Sequence, residues 1–473
     1  MRQHNRVRKH TTPAAGLGRG GTGRQEPLAA REAALQALMR VERDGAYLNL
    51  ALPPLLSGLS PQERGLASRI ATGTVQHLNT IDWALNLYLT SPLHKLTPAM
   101  RNLLRLSAYQ LLYLDRVPAH AVVDEAVRLA RRYGHRGVAG LANAVLRRLS
   151  AQKEDLPWPD PSASAAEYLS LRYSHPYWMV KRWIERYGVT ETESLCRANN
   201  EAVLVSLRPN TLRTTAGQLH ERLSAEGVEA TFSPRVPGML LVNPHRSLAE
   251  LDSFKEGLFT IQGESSALVA PFLDPGPGQM VLDLCSAPGG KTTHLAELML
   301  DSGVIHAADI HAHRLQLVQR AARRLGLSSI RTLAIDGRKI GEAGLPLQQC
   351  ILVDAPCTGL GVIRRLPELK WRRREEELPQ MQKLQQELLE AAAAMLAPGG
   401  KLLYSVCTNE PEETAVVARS FSARHPELKL QAGPDRLPGT LSTAFGEDGT
   451  INLLPHRHGL DGFFIALWLR RSG

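Results

Sequence analysis

Uninterrupted apolar runs are missing from this sequence. None approaches the ~18 residues that a helix needs to span a bilayer, so a membrane protein is excluded and a soluble one expected. Cysteine is scarce. The five, at positions 196, 285, 350, 357 and 407, are odd in number and form no C-x-x-C pair, which argues against a disulfide framework or zinc site. Reduced thiols in a cytoplasmic protein are expected, and no metal. Acids are absent from residues 1–25, where Arg2, Arg6, Arg8, Lys9, Arg19 and Arg24 supply +6 of the formal charge of +10. This Gly-rich arm also lacks an apolar core segment, so it is expected to be neither a secretory signal nor a membrane anchor. The basic excess points to a polyanionic partner. No internal repeat is present.

What is present is the patterning of several domains. A chain of 473 residues exceeds one ordinary core, and roughly 100 to 200 residues per domain gives about three. Residues 1–25 form the basic arm. From 26 to 150 the period is helical: Leu104, Ala108, Leu111 and Leu112 share one face, as do Val123, Ala126, Val127 and Ala130, which predicts an all-α bundle. Residues 151–165, AQKEDLPWPDPSASA, have no period and read as a linker. Residues 166–260 mix helical stretches with the strand-like AVLVSLRPN, GMLLVN and FTIQ, a small α+β unit. From 261 to 473 the runs MVLDL, GVIHAADI, RTLAID, CILVDAP and KLLYSVC alternate with helical segments, which predicts a Rossmann-like, doubly wound α/β domain with GFFIALWLRR as a last, antiparallel strand.

In an open α/β sheet, ligands bind beyond the carboxyl ends of the strands. The first such end, DLCSAPGGKT, is a Gly-rich turn between strand and helix. It is not a Walker A loop, because Cys285 stands where that loop needs its first Gly, and this opposes a nucleotide-hydrolysing protein. Gly289 and Gly290 still permit positive φ and close approach of a cofactor to backbone. Asp309 and Asp336 close the next two strands. A carboxylate is a pure acceptor, so Asp309 suits a ribose diol and Asp336 an adenine amino group; taken singly, each also suits a helix cap. Cys350 lies inside an apolar run and, like Cys196, reads as structural. Arg364, Arg365, Lys370, Arg372, Arg373 and Arg374, with Trp371 among them, fit phosphate contact and base stacking, or else a solvated face.

In order along the chain, DLCSAPGGKT, ADIHAHR, IDGR, DAPCTGLGVIRRLPELKWRRR and APGGKLLYSVCTNEPEE resemble the motifs of cytosine-5 RNA methyltransferases that use S-adenosylmethionine, most closely those of bacterial small-subunit ribosomal RNA. Residues 26–150 resemble the antitermination factor NusB. The resemblance implies a NusB-like RNA-binding domain, a small α+β RNA-binding domain and a Rossmann-like methyltransferase domain. It implies that Cys285, Ser286, Ala287, Pro288, Gly289, Gly290, Lys291, Asp309, Arg314, Asp336 and Asp354 bind S-adenosylmethionine, and that Arg208, Asn210, Gln262, Arg364, Arg365, Lys370 and Trp371 face RNA. C5 of cytosine is too weak a nucleophile to take a sulfonium methyl unaided, so a thiolate must first add at C6. The resemblance makes Cys407 that nucleophile, Cys357 the thiol that assists release, and Asp354 the group against N3 and N4 of the base. The chain departs from the family in having Val406 where Thr is usual and Thr414 where Asn is common. The expected partner is small-subunit ribosomal RNA, with the protein monomeric and cytoplasmic. A non-catalytic RNA-binding factor is the other reading of residues 26–150, but it would not require two thiols at strand ends.

Overall fold

A computed structural model describes residues 30–244, 247–431, 438–446 and 448–472; the basic arm 1–25 lies outside the described residues. The amino-terminal bundle comprises helices Ala30–Arg43, Pro61–Gln76, Leu78–Asn86, Pro98–Tyr113, Ala119–Tyr133 and Arg136–Gln152 with shorter turns between them. Ser60 and Glu63 form a reciprocal capping box, Thr97 caps the helix after it, and both caps are followed by Pro, whose fixed φ suits the first helical position. The apolar stripes meet in one core that holds Leu35, Leu104, Ala108, Leu111, Val123, Ala126, Ala130 and Leu146.

The small unit is a four-stranded antiparallel sheet of β1 (Val205–Pro209), β2 (Ala230–Phe232), β3 (Leu240–Val242) and β4 (Phe259–Ile261), in the order β2-β3-β1-β4. Leu219 and Leu223 of helix Ala216–Ala225 pack on Leu207, Leu240 and Phe259. Strand β2 has two exposed residues of three, so no alternation announced it. The helices Ala165–Arg172, Tyr177–Tyr187 and Val189–Ala198 pack elsewhere: Leu169, Val180, Trp183 and Leu195 close over Leu360, Ile363 and Leu369 of the carboxy-terminal domain.

The carboxy-terminal sheet contains β5 (Met280–Asp283), β6 (Val304–Asp309), β7 (Ile330–Ala334), β8 (Gln348–Asp354), β9 (Leu396–Val406), β10 (Leu428–Leu430), β11 (Ile451–Leu453) and β12 (Phe463–Arg470). Its order is β10-β12-β9-β8-β5-β6-β7, with β11 beside β12. The strands β5 to β9 are parallel, whereas β12 runs antiparallel beside β9, so the sheet is mixed. Apolar layers cover both faces. The chain winds outward in both directions from β5, which makes the carboxyl ends of β5 and β8 the switch point where a crevice opens.

The basic run after Cys357 is a bolt between domains, which corrects the expectation that it faces RNA. Lys370 is fully buried, and its Nζ donates to Gln76 O (2.9 Å), Ser174 O (2.8 Å) and Asn200 Oδ1 (3.2 Å). Burial pushes its pKa down to about 7. Trp371 Nε1 donates to Val75 O (2.7 Å), Arg372 Nη2 donates to Ala46 O (2.6 Å), and Glu368 Oε1 accepts from Leu48 N (2.8 Å). Arg364 is buried against Asp461 (2.6 Å) and donates to Gly459 O. Arg365 pairs with the same carboxylate and donates to Leu204 O while staying partly exposed. These cations satisfy backbone carbonyls that docking removes from water, a use that a charge count cannot distinguish from phosphate contact.

Lys370→Met keeps much of the volume but leaves three buried acceptors without a donor. It should destabilise the protein by roughly 1 to 3 kcal/mol, seen as a lower urea midpoint and faster tryptic cutting in residues 151–165. Unchanged values would mean that water replaces the ammonium.

Candidate active site

Strands β8 and β9 are parallel neighbours in register, with Asp354 opposite Ser405. Each continues past its carboxyl end into a loop that carries a cysteine, Cys357 three residues beyond β8 and Cys407 one residue beyond β9. Fifty residues of sequence thereby collapse to an Sγ–Sγ distance of 3.4 Å between Cys357 and Cys407. The two loops are stapled through glycine: Gly361 N donates to Cys407 O (2.9 Å) and Gly462 N donates to Gly361 O (2.8 Å). A Cβ on Gly361 would lie 2.1 Å from Gly462 O, so no other residue permits this approach.

The two thiols differ in proton affinity. The hydrogen bond from Cys357 lowers the pKa of Cys407, helped by the charge of Lys291 and opposed by burial and Asp354. The same bond raises Cys357, with burial and the Glu413 carboxylate acting the same way. The contact between the two sulfurs therefore favours the thiolate at Cys407 over Cys357. Burial instead raises Cys196 to about 12, Cys350 to about 11, and Cys285 as well, so these three are inert packing groups.

Asp354 stands beside this pair at the end of β8. Its Oδ2 accepts from Lys291 Nζ (2.7 Å) and its Oδ1 from Ser405 Oγ (2.8 Å), while the Lys291 ammonium also lies 5.2 Å from the Phe463 ring centre. Lys291 and Asp354 line an open cleft of about 550 Å³ together with Gln262, Gly263, Asp283, Cys285, Ser286, Ala287, Pro288 and Gly290. Gly289 completes the turn at φ 107°, where a Cβ would meet the Val318 backbone at 3.0 Å.

Asp283, which the sequence reading passed over, is the polar centre of the cleft. It is buried, and Oδ2 accepts from Thr292 Oγ1 (2.7 Å) while Oδ1 has no protein partner. Burial raises its pKa to about 7. Ser286 Oγ is likewise buried without a partner. An acceptor and a hydroxyl left unsatisfied in a lined cleft suit a ligand bearing amino and hydroxyl groups. The signal was available, since Asp283 closes its strand as Asp309 and Asp336 close theirs.

Other expected residues sit differently. Asp309 Oδ1 accepts from His311 N (2.9 Å), and Oδ2 is 3.6 Å from Arg314. Arg314 Nη2 donates to Ala287 O (2.9 Å), which braces the turn from outside the cleft. Asp336 caps Arg338 N (3.1 Å) and pairs with that residue's guanidinium (2.6 Å). Arg208 is buried against Glu297 (2.8 Å) and donates to Gly290 O (2.8 Å) and Gln262 Oε1. Asn210, also buried, donates to Gly257 O and Leu325 O. Both tie the small sheet to the catalytic sheet's helices, which corrects their assignment to RNA. Among the described residues no group of three or more His, Cys, Asp or Glu could hold a metal ion, and no helix is long and apolar enough to cross a membrane.

Residues 270–469 match the family model for 16S rRNA methyltransferase RsmB/F, residues 28–151 match the NusB family, and residues 175–248 match the ferredoxin-like domain of RsmF/B-like methyltransferases. Fold and site are those of a ribosomal RNA methyltransferase with a NusB domain. The chain is 37% identical over 447 residues to the probable ribosomal RNA small subunit methyltransferase B of Bacillus subtilis, which covers 94% of this chain and 99% of the relative. It is 33% identical over 449 residues to ribosomal RNA small subunit methyltransferase B of Salmonella dublin, with 93% and 98% covered. The chain belongs to the ribosomal RNA small subunit methyltransferase B family. Among solved structures, that of PH0851 is similar at TM-score 0.79 and 31% identity, covering 92% of this chain and 98% of that one. NSun6 from Pyrococcus horikoshii, solved with SFG, is similar at TM-score 0.56 and 25% identity over 63% of this chain and 98% of that one.

Alkylation by iodoacetamide, followed peptide by peptide with mass spectrometry, should modify Cys407 with a midpoint below the ~8.5 of a free thiol. Cys357→Ala removes the S–H donor and should move that midpoint up. A midpoint unchanged by the substitution would assign the lowering to Lys291.

Proposed function

We propose that the protein transfers the methyl group of S-adenosylmethionine to C5 of a cytosine in 16S ribosomal RNA through a covalent bond between Cys407 and C6. The observation that carries this reading is the thiol pair at 3.4 Å with opposite proton affinities, set beside Asp354 and the cleft. C5 of cytosine does not attack a methyl donor unaided. Addition of the Cys407 thiolate at C6 makes C5 an enamine carbon, and Asp354 beside N3 and N4 stabilises the ring as charge moves onto it. After transfer, water in the open cleft takes the C5 proton, the C5–H electrons form the C5=C6 bond, and the C6–S bond breaks with its electron pair left on Cys407 as a thiolate, to which the Cys357 S–H can donate.

S-adenosylmethionine, when bound, supplies a methyl group on a sulfonium centre. Asp283 Oδ1, Ser286 Oγ and the backbone of Cys285–Gly290 would hold it, with Asp309 at the ribose side. Support comes from the NSun6 structure, whose SFG is an analogue of that cofactor. The substrate follows from the family, and the place of action would be the cytoplasm, with the protein acting as a monomer. Gln262 keeps an RNA-facing role in this reading because it lines the cleft, and Arg365 because its side chain stays partly exposed.

Cys407→Ala should abolish methyl transfer and form no covalent complex. Cys357→Ala should transfer the methyl once and stall, leaving RNA attached as a slow band on a denaturing gel. The double substitution should lose the band. Bisulfite sequencing of 16S ribosomal RNA from a strain lacking the protein should show one cytosine newly converted. A band that persists without Cys407, or full turnover in its absence, would overturn the proposal.

A further inference from the structure

Cys357 sits between two peptide groups that are both held by buried side chains from other elements. On one side, Gln385 Nε2, from helix Leu378–Ala394, donates to Pro356 O (2.9 Å). On the other, Glu413 Oε1 accepts from Thr358 N (2.8 Å) and Glu413 Oε2 accepts from Thr358 Oγ1. The two side chains are themselves joined, Gln385 Nε2 donating to Glu413 Oε1 (3.1 Å). The backbone of Glu413 is fixed in turn, because Tyr404 Oη on β9 donates to its carbonyl (2.7 Å). Glu413 and Gln385 are both wholly buried, and neither touches the cleft. An acid with no cation partner, held out of water, is costly unless its acceptors are used. Its donors come from the residue after Cys357, from the residue that grips the carbonyl before it, and from Thr408 next to Cys407.

We propose that Glu413 and Gln385 are positioning residues that fix the Cys357 thiol against Cys407 by clamping the peptide groups on either side of it. This rests on the proposed reading of Cys357 as the thiol that assists release. The loop between β8 and Leu360 is otherwise irregular, and a loop free at either peptide would let the Sγ atoms drift beyond hydrogen-bond distance. A displacement of about 1 Å is enough to impair a group that must meet its partner in line. The clamp grips both peptides of Cys357 directly, whereas Cys407 is held chiefly by β9 and the bond from Gly361, so release should suffer more than the first transfer.

The test uses the full chain with RNA substrate and tritium-labelled S-adenosylmethionine, and measures first-turnover methyl incorporation, steady-state turnover and the covalent band. Glu413→Ala should keep first-turnover incorporation within about threefold of wild type, lower steady-state turnover about tenfold or more, and accumulate the RNA–protein band. Glu413→Gln should restore most turnover, because its amide oxygen can take Thr358 N–H and Gln385 Nε2 while its amide nitrogen donates to Thr358 Oγ1. Gln385→Met, which loses the grip on Pro356 O, should show the same band and carries the test if Glu413→Ala does not fold. Wild-type turnover in Glu413→Ala and Gln385→Met, or an equal fall of first and later turnovers in folded protein, would overturn the inference. Cys357→Ala run alongside separates the two claims. A band in Cys357→Ala and none in the clamp variants refutes the clamp alone, whereas a band in none removes the reading of Cys357 beneath it.

Discussion

The site depends on the parallel register of β8 and β9. Parallel neighbours end at the same edge of a sheet, so two chain segments separated by a long helix deliver their next residues to one place. With Asp354 opposite Ser405, each loop begins level with the other, and a thiol two or three residues on has little choice of partner. A slip of one residue would turn Asp354 and Ser405 to the other face and part them from Lys291. The carboxylate, the serine beside it and both thiols are thus consequences of a single backbone alignment, secured by the apolar layers on each side of the sheet.

Much of this was legible. The alternation of apolar runs with helical stretches gave the sheet, since buried parallel strands are short and continuously apolar. The last strand runs antiparallel beside β9, as expected for GFFIALWLRR. The thiols were legible because each ended such a run. Strand β2 was not, as an edge strand with exposed residues has no pattern to read. Nor was Glu413 distinguishable from Glu412 in EPEE, although one is wholly buried and the other pairs with Arg182 at the surface.

The basic residues were the least legible part, for a physical reason. A guanidinium or ammonium satisfies carbonyl oxygens as well as it satisfies phosphates, and sequence records the donor without its acceptor. Arg208 and Lys370 belong to the first kind, though either would count as a nucleic-acid contact in a charge map. The same ambiguity held for Asp336, whose cap and ion pair with Arg338 are local, and for Asp283, whose unpartnered oxygen appears only once burial is known.

The bolt formed by residues 368–372 bears on how the chain is made. The amino-terminal bundle ends at Gln152, and Trp371, which packs into its core, is synthesised roughly 220 residues later. At a ribosomal rate of about 5 to 20 residues per second, the groove that receives this indole stands open for some tens of seconds. During that interval the nascent bundle presents apolar surface and backbone carbonyls whose eventual donors do not yet exist. Synthesis therefore imposes a waiting time in which this part of the molecule keeps an uncovered apolar groove, and it ends only after translation has passed the catalytic loop.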